Sequence, residues 1–407
     1  MKICLISEYF YPDSAGGTPM VLSHLTRYLQ DTAPDIQFDV ITSTNLYRGE
    51  ANSLVRFENW RGIRIFRLQT PKSNRPSTLL RLLAGAAFSF ATLLKLLRRS
   101  RPDLLFIVTN PPTLPLAAQI YSRLKGVPYV YLVHDLYPDL AVALGVLPRE
   151  HPIARAFHHA QRGWLHSARR VVVLGRCMRD YLATNYGLPA DKIEVITNWS
   201  DANAIQPRDK NTEFRQNNGL SGFVVLYAGG FGQYQNFDCI LDAAKLLGPD
   251  AGVTWVFVGD GARKNDIAAR IDREKLDNVR LLPFVPDAEF ADLLASADAS
   301  LVTLEAGAEG LGVPSKFYNI LASGRPTVAL VSPSCEVARV LQEADCGVRV
   351  EQGNAKALAQ TICDLSNAPT EVERLGGNAR RVFEQKYTLP QIAAHFHQVF
   401  QEVSAGR

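Results

Sequence analysis

The sequence predicts an α/β protein of two doubly wound domains, each built on a mostly parallel sheet. Three observations carry this. The chain has 407 residues, more than a single core usually holds, and its 47% hydrophobic and 21% charged content is that of a globular protein. Short apolar runs alternate with segments of helical spacing from one end to the other, and runs without polar alternation are those of strands covered on both faces. A polar stretch, Asp201 to Asn218, separates the two halves and reads as a linker.

In the first half the strand candidates are Ile3–Ile6, Phe38–Thr42, Ile63–Leu68, Leu104–Val108, Tyr129–Val133, Arg170–Leu174 and Ile193–Thr197. The second half offers Val224–Ala228, Thr254–Val258, Val279–Leu282, Ser300–Leu304, Thr327–Val331 and Gly347–Val350. We place the domains at residues 1–203 and 204–386, with a C-terminal helix over 387–407. That helix has Ile392, Phe396, Phe400 and Val403 at helical spacing. Ligands of such sheets bind at the carboxyl ends of the strands, so the loops there are the candidate binding segments.

The first strand runs into a loop in which Gly16 and Gly17 precede a helix beginning near Met20. Gly229, Gly230 and Gly232 follow the strand ending at Ala228, and Gly259 and Gly261 follow the one ending at Val258. Glycines at these points let backbone N–H groups approach a phosphate, although such a loop taken singly is more often a tight turn. The dinucleotide fingerprint GxGxxG is incomplete at both places, since Lys264 and Gln235 stand where its last glycine belongs, which argues against a dehydrogenase. His134 and Asp135 end another strand, where a histidine can donate a hydrogen bond or act as a base; a structural turn cap is the alternative.

The most informative stretch is Glu309 to Pro326, EGLGVPSKFYNILASGRP. Ser315 is a natural N-cap for a short helix that Gly324 and Pro326 stop. Lys316 then lies in the first turn, where a cation opposes the helix dipole unless an anion is bound there. Glu309 is free to reach a polar ligand. An ordinary strand–loop–helix corner with solvated Lys and Glu is the other reading.

Six scattered cysteines without a CxxC pair predict a reducing compartment and no structural zinc. The histidines at 151, 158, 159 and 166 read as a polar helix surface rather than a metal site. The apolar run at the N-terminus is too short for a signal peptide, which predicts a cytoplasmic protein. Net charge is +4, yet residues 61–102 carry ten Lys or Arg and no Asp or Glu. Leu79, Leu82, Leu83, Ala86, Phe90, Leu93, Leu94 and Leu97 recur there at helical spacing. The uncharged core Leu82–Leu94 is too short to span a bilayer. The segment reads as a helix on an anionic membrane surface or as a core helix with a basic rim. No nucleic-acid partner is expected.

Taken in order, these pieces resemble glycosyltransferase family 4. The features are Tyr11, Pro12, Gly16 and Gly17 after the first strand, Val133-His134-Asp135, Val-Ile-Thr-Asn-Trp at 195–199, Tyr-Ala-Gly-Gly-Phe-Gly at 227–232, Val-Gly-Asp-Gly at 258–261 and Glu-Gly-Leu-Gly-Val-Pro-Ser-Lys at 309–316. The branch they look like contains bacterial aminodeoxysugar transferases of O-antigen and capsule assembly. The resemblance implies a GT-B fold of two facing Rossmann-like domains and retaining, metal-independent transfer from a nucleotide sugar, UDP-linked in our reading. The acceptor it suggests is a polyprenyl-diphosphate-linked saccharide, with the protein peripheral to the inner face of the cytoplasmic membrane.

By that resemblance Glu309 holds donor-sugar hydroxyls, the N–H groups around Gly310, Leu311 and Gly312 face the diphosphate, and Gly16 and Gly17 close over the donor. Gly230 and Gly232 line the nucleotide site, His134 sits near the donor sugar, and Asp135 belongs to the acceptor side. Two departures stand out. Asn319 occupies the place of the family's second Glu, directed at the ribose, and Gly230 and Gln235 fall near the places of an Arg and a Lys. Diphosphate neutralisation is therefore expected to shift to Lys316, helped by Arg263. A sugar-nucleotide 2-epimerase on the same fold and a non-catalytic donor-binding or scaffold protein are the alternatives.

Overall fold

The computed structural model describes the chain apart from residues 14–16, 47–53, 72–77, 234 and 407. The chain divides into two compact units, Met1–Thr197 with Leu389–Arg407, and Asn198–Thr388.

The first unit runs β1 (Lys2–Ile6), α1 (Gly17–Thr32), β2 (Gln37–Ser43), β3 (Phe57–Trp60), β4 (Ile63–Leu68), α2 (Thr78–Leu97), β5 (Leu104–Val108), α3 (Leu114–Lys125), β6 (Tyr129–Val133), α4 (Asp139–Ala143), α5 (Pro152–Ser167), β7 (Arg170–Val173), α6 (Arg176–Tyr186) and β8 (Ile193–Val195). Its sheet has the order β3-β4-β2-β1-β5-β6-β7-β8. β1 lies in the middle, with Ile6 opposite Ile41 on one side and Ile107 on the other. Such fully buried runs carry no polar alternation because helices cover both faces.

Strand β3 is the one element of this sheet that the sequence reading missed. It pairs antiparallel to β4 at the sheet edge through a two-residue turn, Arg61 and Gly62, both at positive φ. With four residues and one face only half covered, FENW has no apolar run to reveal it.

Helix α2 packs one face on α3 and β4, burying Ala84, Phe88, Ser89, Thr92 and Leu96. Gly85 permits this approach, since a Cβ there would lie 2.8 Å from Pro111 Cβ, and Ser89 Oγ lies 2.9 Å from Thr113 Oγ1. The helix outruns the uncharged core: Leu80–Leu97 is long and apolar enough to cross a membrane by length and composition, although a third of it is buried in the unit. Its other face exposes Leu83 (57%), Phe90 (63%) and Leu97 (39%). A spacing of seven keeps these three on one stripe.

Part of the basic run serves the fold. Arg64 and Arg99 both bond Asp39, at 2.7 and 2.9 Å, and Arg67, 4% exposed, pairs with Glu58 at 2.7 Å. Lys72 and Arg75 lie outside the described residues. The last helix, α15 (Leu389–Ala405), closes this unit, with Phe396 and Phe400 packed 5.6 and 5.1 Å from the ring of Phe106.

The second unit runs α7 (Glu213–Asn217), β9 (Phe223–Ala228), α8 (Phe237–Leu247), β10 (Val253–Val258), α9 (Lys264–Glu274), β11 (Val279–Leu282), α10 (Phe290–Ala295), β12 (Ala299–Thr303), α11 (Lys316–Ser323), β13 (Thr327–Leu330), α12 (Glu336–Ala344), β14 (Gly347–Val350), α13 (Ala355–Ser366) and α14 (Pro369–Lys386). Its sheet, β11-β10-β9-β12-β13-β14, is parallel throughout.

The polar stretch expected as a linker is built into this unit. Arg215, 7% exposed, donates to Ser296 O at 3.3 Å and Asp298 Oδ2 at 3.2 Å. Asp298 also accepts from Lys210 Nζ at 2.6 Å and from the Val224 N–H at 2.8 Å. A buried charge needs such partners, and they come from more than 70 positions away, beyond the reach of local composition.

Candidate functional site

In each sheet the chain reverses direction at one point, and a ligand crevice opens there outside the strand ends. In the second unit the reversal lies between β9 and β12, in the first between β1 and β5. The loops leaving β9 and β12 are those that carry Gly229–Gly232 and Glu309–Lys316.

The glycines have different reasons to be glycine. At Gly259 (φ +158°) a Cβ would fall 1.9 Å from Gly229 O, and at Gly261 (φ +155°) 2.5 Å from Phe231 O, so both let the β9 and β10 loops pack backbone to backbone. At Gly229 (φ +144°) a Cβ would lie 2.8 Å from the Nζ of Lys316, so this position makes room for an amine. Gly230 borders open space, its nearest neighbour to a Cβ being Asp260 O at 4.0 Å. The Gly232 N–H donates to Gln235 Oε1 at 2.8 Å, and Gln235 thereby holds the loop where a cation was expected.

Lys316 is the first residue of α11. The residue is half-buried, but its nitrogen is inaccessible to water, has no hydrogen-bond partner among the described residues, and stands 3.5 Å from the centroid of the Tyr227 ring. Burial pushes its pKa down from 10.5 to about 7. Ser315 occupies the N-cap place, yet its backbone is helical and its side chain makes no cap bond, contrary to expectation. Asn319 lies one turn on and shares a face with Lys316; its side chain has no partner among the described residues.

In the loop before α11, Leu311 is 1% exposed and its N–H donates to Ala308 O at 3.3 Å, so this amide serves the loop's own turn. The N–H groups of Gly310 and Gly312 have no partner among the described residues. Glu309, half-buried, accepts from the Gly307 N–H through Oε2 at 2.8 Å, which leaves Oε1 for a ligand. Arg263 is engaged elsewhere: its guanidinium bonds Asp238 on α8 at 2.9 Å, and Asp238 is shared with Arg270. The structure thus brings together Lys316, Gly229 and Tyr227, and turns Arg263 to the ion pairs of α8 and α9. Sequence reasoning quoted Tyr227 without a role; its place two residues before the double glycine was the available signal.

In the first unit, His134 and Asp135 leave β6 with both backbone N–H groups directed to Thr109 Oγ1, at 3.2 and 3.4 Å. The far end of this loop is tied down at Asp139, which accepts from Tyr181 at 2.7 Å and from Tyr186, with the His158 ring stacked on Tyr186. Between these anchors the side chains of His134, half-buried, and Asp135, exposed, have no partner among the described residues. Burial lowers the His134 pKa to about 4, so its imidazole is neutral at pH 7. Gly17 is exposed at the first position of α1, and Gly16 lies outside the described residues. Chemically, the second unit offers an amine and free amides to an anion, and the first a neutral imidazole and a carboxylate to hydroxyl groups.

Comparison with known proteins agrees with these two halves. Residues 16–199 match the model of the glycosyl transferase 4-like domain, and residues 222–368 that of glycosyl transferases group 1. The probable glycosyltransferase WbjE of Pseudomonas aeruginosa is 30% identical over 321 residues, which cover 78% of this chain and 79% of the relative. The putative colanic acid biosynthesis glycosyl transferase WcaI of Escherichia coli is 26% identical over 407 residues, covering 96% of this chain and 98% of the relative. Among solved structures, Anabaena HepE in complex with UDP-glucose matches 99% of this chain and 100% of its own at a TM-score of 0.74 and 18% identity, a likeness of fold. This chain therefore belongs to the group 1 and 4-like glycosyltransferases and has their GT-B architecture.

Proposed function

We propose that the protein transfers a sugar, with retention and without a metal ion, from a UDP-linked donor to a polyprenyl-diphosphate-linked saccharide in the assembly of a surface polysaccharide such as O-antigen or capsule. The observation that carries the donor half is the amine of Lys316, without a hydrogen-bond partner among the described residues, at the point where the second sheet reverses. Once protonated, it and the amides of Gly230, Gly310 and Gly312 face a diphosphate, and Asn319 bonds the ribose. The UDP and UDP-glucose complexes of the Anabaena neighbour support this class of donor, and the name of the Escherichia coli relative supports the pathway class.

In the reaction the bond between the anomeric carbon and the diphosphate oxygen breaks as the acceptor hydroxyl approaches from the same face. The acceptor's proton passes to the departing phosphate oxygen. Charge builds on the diphosphate, where the ammonium of Lys316 and fixed N–H groups supply the stabilisation that a divalent cation would otherwise give. Glu309 orients the donor sugar through its open oxygen, the neutral His134 offers a hydrogen bond to it, and Asp135 binds the acceptor.

The exposed stripe of α2, with exposed cations such as Arg98 beside it, is the surface we assign to the inner face of the cytoplasmic membrane, where each nearby Lys or Arg contributes about 1 kcal/mol. The test is nucleoside diphosphate release from UDP-, GDP- and dTDP-sugars with and without bacterial lipid extract, with Glu309→Ala as control. Lipid-dependent release from one donor, lost in the variant, is the expected result. Release from a sugar nucleotide with no acceptor requirement, or interconversion of the sugar, overturns the reading.

A further inference from the structure

Beneath the amine of Lys316 lies a side chain to which the donor reading gives no task. Tyr227, in β9, is fully buried. Its ring centroid is 3.5 Å from Lys316 Nζ, and its hydroxyl donates to Gly230 O at 2.8 Å. One side chain therefore touches both parts of the site, the cation and the glycine loop. Its ring is fixed by its neighbours, Phe237 at 4.9 Å edge to face, Phe231 at 6.0 Å and Phe257 at 6.5 Å.

The other groups around α11 do not compete for the amine. Glu305 pairs with Asn236 at 3.3 Å, and Glu309 accepts from its own loop. On α14, which packs against α11, Arg380 donates to Ile205 O and Ala322 O and pairs with Glu384. On the other side Gly229 leaves only the space that the amine fills. No carboxylate among the described residues holds the amine; it is placed by an aromatic face, a contact that favours a cation without neutralising it.

We propose that Tyr227 is the positioning residue of the diphosphate site: its ring face places the Lys316 amine and its hydroxyl places Gly230, so that cation and backbone amides are presented together. This rests on the donor reading above. A carboxylate in the same place would bind the amine and compete with the incoming phosphate; an aromatic ring holds the amine and leaves its charge available.

The experiment measures the affinity of the full chain for whichever of a UDP-, GDP- or dTDP-sugar it binds most tightly, from pH 6 to 9, in the wild type, Lys316→Met, Tyr227→Phe and Tyr227→Leu, with thermal melts to verify folding. The diphosphate of a nucleotide sugar does not titrate in this range, so the pH dependence belongs to the protein. Wild-type affinity is expected to fall as pH rises through the amine's midpoint, and Lys316→Met to be weaker and flat. Tyr227→Phe keeps the ring, so its midpoint stays while affinity falls about fivefold with the loop bond lost. Tyr227→Leu is expected to lose about tenfold and to move the midpoint downward as the cation loses the ring face.

A purely structural tyrosine would weaken binding without moving the midpoint. If Tyr227→Leu binds with wild-type affinity and midpoint while Lys316→Met does not, the inference fails and the donor site stands. If Tyr227→Leu does not fold, unchanged affinity in Tyr227→Phe overturns the loop tie. If Lys316→Met binds as the wild type does, or no nucleotide sugar binds at all, the donor reading falls and this inference with it.

Discussion

Replacing Lys316 by methionine should weaken the protein's grip on its donor and make the empty protein more stable. The amine is buried, has no hydrogen-bond partner among the described residues and is held down from 10.5 to about 7. At about 1.4 kcal/mol per pH unit, keeping it charged in the fold costs roughly 5 kcal/mol. Below pH 7 folded and unfolded chains both bear the proton and the cost is complete. Between 7 and 10.5 the unfolded chain still binds a proton that the folded chain has released, so wild-type stability rises with pH across that window. Methionine is one atom shorter, removes the charge and can pack its thioether on the Tyr227 ring.

The variant should therefore melt several degrees above the wild type at pH 6, with the advantage shrinking toward pH 10. In the same protein, donor affinity should fall about ten- to a hundredfold, the worth of charge-assisted hydrogen bonds to a phosphate. Scanning calorimetry at pH 6, 8 and 10 and titration calorimetry with the nucleotide sugar measure the two effects. A variant that is less stable than the wild type at pH 6, or that binds donor equally well, refutes the reasoning.

Three other expectations follow from the same geometry. Gly229→Ala pushes a methyl group to 2.8 Å from the amine at a backbone angle that disfavours it; it should lose donor affinity as Lys316→Met does but also lose about 1 kcal/mol of stability. Asp298→Ala removes the carboxylate shared by Arg215, Lys210 and the Val224 amide; a loss of about 3 kcal/mol is expected, and urea unfolding that shows no destabilisation would be evidence against the clamp. Leu83→Asp with Phe90→Asp should abolish sedimentation with anionic lipid vesicles while leaving melting temperature and soluble-donor binding intact, and unchanged sedimentation would remove α2 as the membrane face.

What could be read ahead of the structure was what local chemistry encodes. The apolar runs at 104–108, 129–133 and 224–228 declare buried parallel strands because covered faces need no polar alternation. Thirteen of the strands were visible this way, whereas β3 was not, because a half-covered edge strand has no such run. The loops rich in glycine were visible too, and so was the Glu309–Lys316 segment, since turn residues and a helix stop are local signals.

The division of labour among those residues was not local. Gly259 and Gly261 look like ligand glycines in sequence, yet neighbouring loop backbones require them, while Gly229 makes room for a side chain 87 positions later. The basic run over 61–102 looks uniform, but Asp39 and Glu58 take Arg64, Arg67 and Arg99 into the fold. Lys316 was the expected diphosphate ligand with Arg263 as its helper, until packing paired Arg263 with Asp238 and left Lys316 without a hydrogen-bond partner among the described residues. Local patterns were enough for the order of the loops and of every strand but β3, and for the family they spell, because these depend on contacts between near neighbours. Only the tertiary structure decided which cations and glycines are free for chemistry, because a charge or a cavity is committed by whatever distant backbone and side chains the sheet brings beside it.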